Sequence, residues 1–291
     1  VSFSNALKKY PAIFSSFYVS MIRIAEATGN LDESLDRLAF LGEKDYEIHE
    51  KIKSATRYPM MVVCALGVAF LVVVKFVLPR FSKLFSRFQV DLPLPTKLLL
   101  WFNTLMTHYW WHMIILFVLL AAGIAKLLRT PQGKAFWDGL KLRIPIFGEL
   151  FTNMIMSKFS RTAGSLVTSG IPVDQVLELT SEVVGNDKVS KILKNIENKV
   201  KEGKKISEPM KESKLFPPIV VQMVSVGEDT GKLDELLLYV ADYYDFQVDL
   251  RIKNLTMYIE PVLLFVMGSG VLFIALAMFH PKWNMVYVFK K

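Results

Sequence analysis

EATGNLDESL, at residues 26–35, returns at residues 228–237 as EDTGKLDELL. The two runs are 202 residues apart (228 − 26). The same offset joins further positions in polar and apolar segments alike, which are Lys51 with Lys253, Pro59 with Pro261, Pro79 with Pro281, and Phe81 with Trp283. A constant register over this length indicates that one unit was duplicated. Because only two copies are visible and the period is long, the pattern predicts two domains rather than a solenoid.

Each run has the pattern of a helix that ends at a glycine turn and is followed at once by a second helix. Gly29 and Gly231 stand where a positive φ would end the first helix. In the first copy, Asn30 with Glu33 predicts a capping box in a looser form, since Asn replaces the usual Ser or Thr. Lys232 takes the cap position in the second copy, so only the glycine turn is expected there.

The helices that follow the two turns are predicted to be long. One begins at Asp32 and extends to about residue 57, and the other begins at Asp234 and extends to about residue 257. Each is long enough to run on into an apolar segment, with Pro261 near the boundary between water and lipid. Each domain would then be joined to a membrane span by a nearly continuous helix, which is suited to transmitting motion.

The composition is that of a membrane protein. The chain has 291 residues, of which 52% are hydrophobic, and its mean hydropathy of +0.35 is high for a soluble protein. The single cysteine, Cys64, excludes a disulfide within one chain. The net charge of +8 would attract nucleic acid or anionic lipid. Apolar segments favour lipid, and no nucleic-acid partner is expected because no aromatic residues alternate with the lysines.

Three apolar stretches are long enough to cross a bilayer. Residues 60–78 carry one charge, Lys75, close enough to the end to reach the interface, and residues 262–279 carry none. The third stretch lies between Lys97 and Lys126, with an aromatic belt at residues 109–111. Buried core helices are the alternative, but their length and lack of charge argue against it. Basic residues beside the spans predict that both helical domains are cytoplasmic.

The expected fold is therefore an all-α membrane protein, with an internal duplication, two cytoplasmic helical bundles and three transmembrane helices. A multi-pass membrane protein is expected. The chain lacks an initiator Met and opens part-way into the first copy, so the first bundle is expected to be truncated; no cleavable signal peptide is evident. The predicted segments are the first bundle at 1–59, spans at 60–79, 109–128 and 260–280, a connector at 80–108, the second bundle at 129–259 and a tail at 281–291.

Residues 130–259 show helical periodicity throughout. Gly170 is expected to end one helix, Pro172 to help start the next, and Asn186 to act as an N-cap. The helix after Asn186 carries lysines opposite its apolar stripe, at positions 188, 191, 194, 199 and 201. These lysines form either a solvated face or a contact for anionic lipid or an acidic partner.

The sequence has no recognisable catalytic, cofactor or metal site. A glycine-rich phosphate loop of Walker type is absent. His108 and His112 have a spacing that zinc can use, but a third ligand is not evident. Glu228 is expected at a helix C-terminus, where an anion is unfavourable, so a basic neighbour, a metal or a partner must offset its charge; an internal salt bridge is the simplest choice. Glu260 is expected to pair with a base or a backbone donor.

Motifs along the whole chain carry a family resemblance. They are FSRT at 159–162 with TSGIP at 168–172, LFPP at 215–218, QMVSVGE at 222–228, TGKLD at 230–234 and IEP at 259–261. The first copy keeps Tyr10, Pro11, Phe14, Tyr18, Met21, Glu26 and Gly29, and the runs DLPLPT at 91–96 and RIPIFG at 143–148 also fit. The chain resembles the GspF/PilC family of inner-membrane platform proteins of type II secretion and type IV pilus machines.

The resemblance implies two six-helix cytoplasmic bundles, three spans and a non-enzymatic platform role. The implied partners are a cytoplasmic ring ATPase, pilins or pseudopilins, inner-membrane assembly proteins, membrane lipid and further copies of the chain in a homo-oligomer. No cofactor or metal is implied. Candidate partner-contact or structural residues are Glu26, Gly29, Asp32, Arg161, Gly170, Pro172, Glu228, Gly231, Asp234, Glu260 and Pro261.

Some residues depart from the family pattern. The usual Gly-Glu is Ala25-Glu26 in the first copy, and residues 163–166 read AGSL rather than the common Leu-Ala pattern. These departures leave the choice between secretion and pilus subfamilies open, with a preference for the pilus type. The alternative function is a transporter or channel component built on a parallel duplicated unit. Transporters typically have charged residues or broken helices at the bilayer midplane, and the outer two spans have neither.

Overall fold

The computed structural model describes residues 2–77, 79–80, 97–98, 101, 103–105, 108–141, 144 and 147–288. Every regular element in these residues is helical. In chain order the helices are α1 Phe3–Leu7, α2 Ser16–Thr28, α3 Leu31–Val72 with a π-helical turn at Val73–Val77, α4 Trp110–Arg129, α5 Pro131–Lys141, α6 Phe147–Thr168, α7 Val173–Val183, α8 Asp187–Lys201, α9 Ser207–Ser213, α10 Pro218–Thr230 and α11 Leu233–Val288.

The described helices fall into two compact units. Unit 1 consists of Val1–Ile52 with Leu128–Lys253, and unit 2 of Lys53–Leu127 with Asn254–Lys291. Unit 1 has one apolar core to which both copies of the duplication contribute, with Phe17, Met21 and Leu38 from the first and Phe159, Leu193 and Val224 among those from the second. The two copies therefore share one apolar core, which lies within unit 1.

The duplication predicted from sequence is present in the helices. Helix α2 ends at Thr28 and α3 begins at Leu31, while α10 ends at Thr230 and α11 begins at Leu233. Helices α2 and α10 each contain 13 residues. These start and end points keep the offset of 202 residues seen in the sequence.

Two long helices connect the polar and apolar parts of the chain. Helix α3 has 42 residues and α11 has 56, and neither stops at the paired prolines Pro59 and Pro261. A proline inside a helix lacks the N–H of one backbone hydrogen bond, yet both helices continue. The prediction that each domain runs into its apolar segment through a nearly continuous helix is confirmed.

Three of the described helices are long and apolar enough to cross a membrane: Leu31–Val77, Trp111–Leu128 and Leu233–Ala277. Their most apolar 18-residue windows have mean hydropathies of 2.7, 2.1 and 2.2, and at most 6% of the residues in any of these windows are buried. An apolar surface this large requires a covering medium, and a bilayer supplies it. The all-α membrane fold is confirmed.

The helix ends and N-caps predicted for the second copy are also found. Helix α6 ends at Thr168 and Gly170 has a φ of 74°, while Pro172 caps α7. Asn186 is the N-cap of α8, because its side-chain oxygen accepts from the N–H groups of Lys188 at 3.0 Å and Val189 at 3.2 Å. Most of the predicted connector at 80–108, with its run at 91–96, lies outside the described residues, as do parts of the run at 143–148 and residues 289–291.

Candidate functional site

The glycine turns of the two copies have the same geometry. Gly29 has a φ of 80° and Gly231 a φ of 70°, in the left-handed region that favours glycine. In the first copy, the N–H groups of Gly29 and Asn30 both donate to the carbonyl oxygen of Ala25, at 2.9 and 3.1 Å. In the second copy, the N–H groups of Gly231 and Lys232 donate to Gly227 in the same way.

This geometry shows why the predicted capping box does not form. A capping box needs the N–H of Asn30 as donor to the carboxylate of Glu33. That N–H is already used by the carbonyl of Ala25. The carboxylate of Glu33 instead pairs with Arg37 at 2.6 Å. The capping-box prediction was therefore wrong, because the glycine turn and the box compete for one donor.

Glu228 lies near the C-terminal end of α10, and backbone amides offset its charge. Its carboxylate accepts from the N–H of Ser207 at 3.0 Å and from the N–H of Ile206. Ile206 is the N-cap of the short helix α9 and Ser207 is its first residue, and the first N–H groups of a helix have no partner within it. The predicted salt bridge to a lysine or arginine is therefore replaced by a helix N-terminus, which carries a partial positive charge.

The first copy repeats this arrangement at Glu26. Its carboxylate accepts from the N–H of Phe3, and from the N–H of Ser4 at 3.2 Å as well as the Ser4 hydroxyl. Phe3 and Ser4 are the first two residues of α1, whereas Ile206 and Ser207 are the N-cap and the first residue of α9, so both pairs lie at a helix N-terminus. The hydrogen bond from the Ser4 side chain, with those from the backbone of Ser4 and Phe3, holds the pKa of Glu26 below its usual value.

Each copy thus contains one device, which we name the glutamate clamp: a glutamate in the last turn of α2 or α10, a glycine turn directly after it, and a short helix whose N-terminus the glutamate holds. Asp32 and Asp234 lie in the first turns of α3 and α11, where an acidic side chain is favourable. Glu26 and Gly29 therefore belong to the first clamp and Glu228 and Gly231 to the second, while Asp32 and Asp234 follow the clamps in sequence.

Arg161 lies on α6 and joins that helix to α11. Its guanidinium donates to the carboxylate of Asp242 at 2.7 Å and to that of Asp245. The hydroxyl of Ser157, one turn earlier on α6, also donates to Asp245. The Arg161 side chain is only 8% exposed, against 27% for Asp245 and 73% for Asp242. We name these four residues the arginine cluster.

The electrostatics of the arginine cluster favour a charged guanidinium. Burial alone would lower the pKa of Arg161, but the hydrogen bond with Asp242 and the charge of Asp245 outweigh it, so the pKa is raised. The guanidinium also lies 5.8 Å from the ring centre of Phe40 on α3, a cation–π contact. Three helices of unit 1 therefore meet at one buried cation.

A groove of about 370 Å³ lies beside the arginine cluster, between α3 and α11. Lys51 crosses it and pairs with Asp249 at 2.8 Å. Sequence reasoning singled out Arg161 but missed its partners Asp242, Asp245 and Phe40. The row of aspartates at 242, 245 and 249 on one side of α11 was the signal that could have indicated them.

The remaining candidates lie apart from the clamps and the cluster. Gly170 and Pro172 shape the loop between α6 and α7. Glu260 and Pro261 are exposed within α11. Among the residues that the structure describes, the Glu260 carboxylate has no hydrogen-bond or ion-pair partner, so the expected pairing is not found. In the same part of the chain, no group of three or more His, Cys, Asp and Glu side chains is placed to hold a metal ion.

Comparison with known proteins decides the family. The sequence model of the family described as type II secretion system (T2SS), protein F, matches residues 1–79 and 159–281. The two matched stretches end 202 residues apart (281 − 79), the offset of the duplication. The chain belongs to the type II secretion system protein F family. This GspF/PilC membership confirms the resemblance drawn from the motifs and leaves the transporter alternative without support.

Named relatives in the family come from both kinds of apparatus. The chain is 36% identical over 285 residues to the type IV pilus assembly protein PilC of Myxococcus xanthus, covering 98% of this chain and 68% of the relative. It is 36% identical over 288 residues to PilC of Thermus thermophilus, covering 98% and 70%. To the type II secretion system protein F of Aeromonas hydrophila it is 28% identical over 284 residues, covering 96% and 72%.

Proposed function

We propose that this chain is an inner-membrane platform subunit of a type IV pilus machine, which couples a cytoplasmic ring ATPase to the insertion of pilin subunits. The observation that carries the proposal is the family match in both copies of the duplication. The pilus branch is favoured because pilus assembly relatives are 28% to 36% identical to this chain, whereas type II secretion relatives are 28% identical. The proposed role is structural, and no residue is given a catalytic one.

The fold supports a mechanical role for α11. This helix starts at the second glutamate clamp, takes part in the arginine cluster through Asp242 and Asp245, and continues through an apolar stretch long enough to span a bilayer. An α-helix is a stiff rod that rises 1.5 Å per residue. A push on the clamp by an ATPase would therefore act on the helix that continues into the apolar stretch.

The candidate residues take roles within this proposal. The two clamps, through Glu26, Gly29, Glu228 and Gly231, would set the angle between the short helices and the long ones. Arg161 would hold α11 against the bundle. Exposed surfaces of unit 1 would meet the ATPase and inner-membrane assembly proteins, and the spans would meet lipid and pilin. We place the protein in the bacterial inner membrane as a multi-pass protein with unit 1 in the cytoplasm.

Genetic complementation tests this function. Cells that lack the gene are expected to lose surface pili, counted by electron microscopy, and to regain them with the wild-type chain. The Glu228→Ala variant is expected to remain in the membrane at a normal level while pili stay absent. Normal piliation in the deleted cells, with loss of secreted enzymes instead, would move the protein to a secretion machine. Normal piliation together with normal secretion would contradict a platform role.

A further inference from the structure

Helix α5 is packed the opposite way round from a helix on the surface of a water-soluble domain. Its large apolar side chains are exposed, Phe136 at 72%, Trp137 at 42% and Leu140 at 38%. Successive residues of an α-helix are about 100° apart around its axis, so these three lie within one arc of about 100°. We name them the α5 face. A helix in water turns such an arc toward the core, so the α5 face requires a different covering medium.

The other side of α5 is polar and is bonded to the bundle. Asp138 is only 3% exposed, and its carboxylate accepts from the N–H of Asp187 and from the ammonium group of Lys141, each at 3.2 Å. Lys134 pairs with Asp187 at 2.9 Å, and the side-chain amide of Asn186 donates to the carbonyl of Asp138 at 3.3 Å. These contacts place a carboxylate at the N-terminus of α8, where it is favourable. Polar contacts therefore set the orientation of α5 and leave the α5 face outward.

The chain keeps the α5 face close to the end of an apolar span. Only Thr130 separates the last residue of α4, Arg129, from Pro131, and α4 is one of the three helices that are long and apolar enough to cross a membrane. Chain geometry allows at most about 8 Å from Arg129 to Pro131 and about 14 Å from there to Leu140. Helix α5 therefore lies within about 22 Å of the end of α4 along its whole length.

The charges of this segment favour anionic lipid over a second copy of the chain. Residues 126–143 contain five basic residues and one acidic residue. The acidic one, Asp138, is buried and paired. Basic residues beside a span are attracted to anionic headgroups, and aromatic rings are enriched at the same depth. A second copy placed on the α5 face would instead bring an equally basic segment against it, and like charges repel.

We propose that the α5 face is a membrane-surface anchor. Helix α5 lies along the leaflet in which α4 ends, with Phe136, Trp137 and Leu140 inserted at the boundary between headgroups and acyl chains. Helices of this kind insert their apolar face by about 5–10 Å. Ile144 and Phe147, which follow α5, are exposed as well and lengthen the segment that lipid can cover. The anchor involves the membrane alone, so it does not depend on which machine the protein serves.

A depth measurement in vesicles tests the anchor, and the chain suits it because Cys64 is the single cysteine. In a Cys64→Ser background, Leu140→Cys carries a nitroxide spin label, and the full chain is reconstituted in vesicles of phosphatidylethanolamine and phosphatidylglycerol. Collisions of the label with oxygen and with a water-soluble nickel chelate give its depth, which we expect to be about 5–10 Å into the boundary. The control is Glu235→Cys on α11, an exposed acidic position that should stay accessible to the chelate.

Two results would overturn the proposal. A label at position 140 that is as accessible to the nickel chelate as the control label would place the α5 face in water. A label at position 140 that is shielded from both oxygen and the chelate would show that protein, such as a second copy, covers the α5 face.

A second variant separates anchoring from folding. Phe136→Glu combined with Trp137→Glu is expected to raise the chelate accessibility of the label at position 140 to the level of the control, because carboxylates are unfavourable among acyl chains. Both side chains are exposed, so the circular dichroism spectrum should stay unchanged. A label depth that is the same with and without the two carboxylates would contradict the anchor.

Discussion

At the scale of single residues, Glu26 and Glu228 show how an unfavourable position becomes a useful one. A carboxylate near a helix C-terminus faces the negative end of the helix dipole. In both copies, the N–H groups of a short second helix supply the compensating partial charge. The glutamate therefore fixes two helix ends at once, and its removal would leave backbone N–H groups without an acceptor.

Glu228→Ala should lower the free energy of unfolding by about 1–2 kcal/mol, the usual effect of losing a helix cap. The measurement is denaturant unfolding in detergent, followed by a probe in unit 1. A matched control is Glu235→Ala, since Glu235 is exposed and pairs with Lys232 across one helix turn. That change should have an effect below about 0.5 kcal/mol. Equal losses for the two variants would contradict the clamp.

Glu26 should make stability depend on pH on the acid side. Because its pKa is lower in the folded chain than the ordinary value of 4.5, the folded state binds fewer protons than the unfolded state. Its contribution is therefore present above pH 4.5 and is lost as the pH falls through the folded pKa. We expect the Tm of Glu26→Gln to be lower than that of the wild type at neutral pH. The difference between the two Tm values should become smaller as the pH is lowered. A difference that is constant with pH would contradict this account.

Gly227 is the glycine whose replacement should do most harm. A Cβ at this position would lie 2.9 Å from the Cα of Leu233, which is backbone and cannot turn aside. We expect Gly227→Ala to destabilise by about 1–3 kcal/mol. Gly139→Ala is the control, because nothing lies within 4 Å of its Cβ position and a helical alanine should stabilise by about 0.5–1 kcal/mol. Thermal melts of both variants test the difference in sign.

At the scale of helices, the arginine cluster joins α6 to α11, and its guanidinium also contacts Phe40 on α3. A buried arginine needs paired carboxylates, because an unpaired buried charge is strongly destabilising. Asp245 is the more enclosed of the two partners and also accepts from Ser157. The strength of the contact between α6 and α11 should therefore depend more on Asp245 than on Asp242.

Asp245→Asn should accordingly destabilise by about 1–3 kcal/mol, as expected for a hydrogen-bonded charge in a partly buried site. Asp242→Asn should have an effect of at most about 1 kcal/mol, because its exposed carboxylate is screened by solvent. Chemical unfolding of the two variants measures which substitution lowers the free energy of unfolding more. The reverse order would show that Asp242 carries the contact.

The helices were more predictable than their contacts. Gly29, Gly231, Asn186 and the apolar spans act through residues next to them in sequence, so the local pattern was sufficient. The partners of Glu228 lie 21 and 22 residues away, and those of Arg161 lie 81 and 84 residues away, so they depend on how the helices pack. The capping box failed for a local reason, the competition for the N–H of Asn30.

At the scale of the whole molecule, the duplication has produced two similar helices with different surroundings. Helices α3 and α11 both start after a glutamate clamp and both continue past a proline into an apolar stretch. At the positions of the exposed Tyr239 and Phe246 in α11, α3 has the charged residues Arg37 and Lys44. A duplicated unit can therefore keep its fold while the surfaces of its two copies diverge.

The central claim is that this protein is the platform on which a cytoplasmic ATPase drives fibre assembly. Its most direct test is a pull-down of the full-length protein from native membranes in mild detergent, with partners identified by mass spectrometry. We predict recovery of a ring ATPase together with pilin-like proteins. Recovery of the protein without either class of partner would contradict the claim.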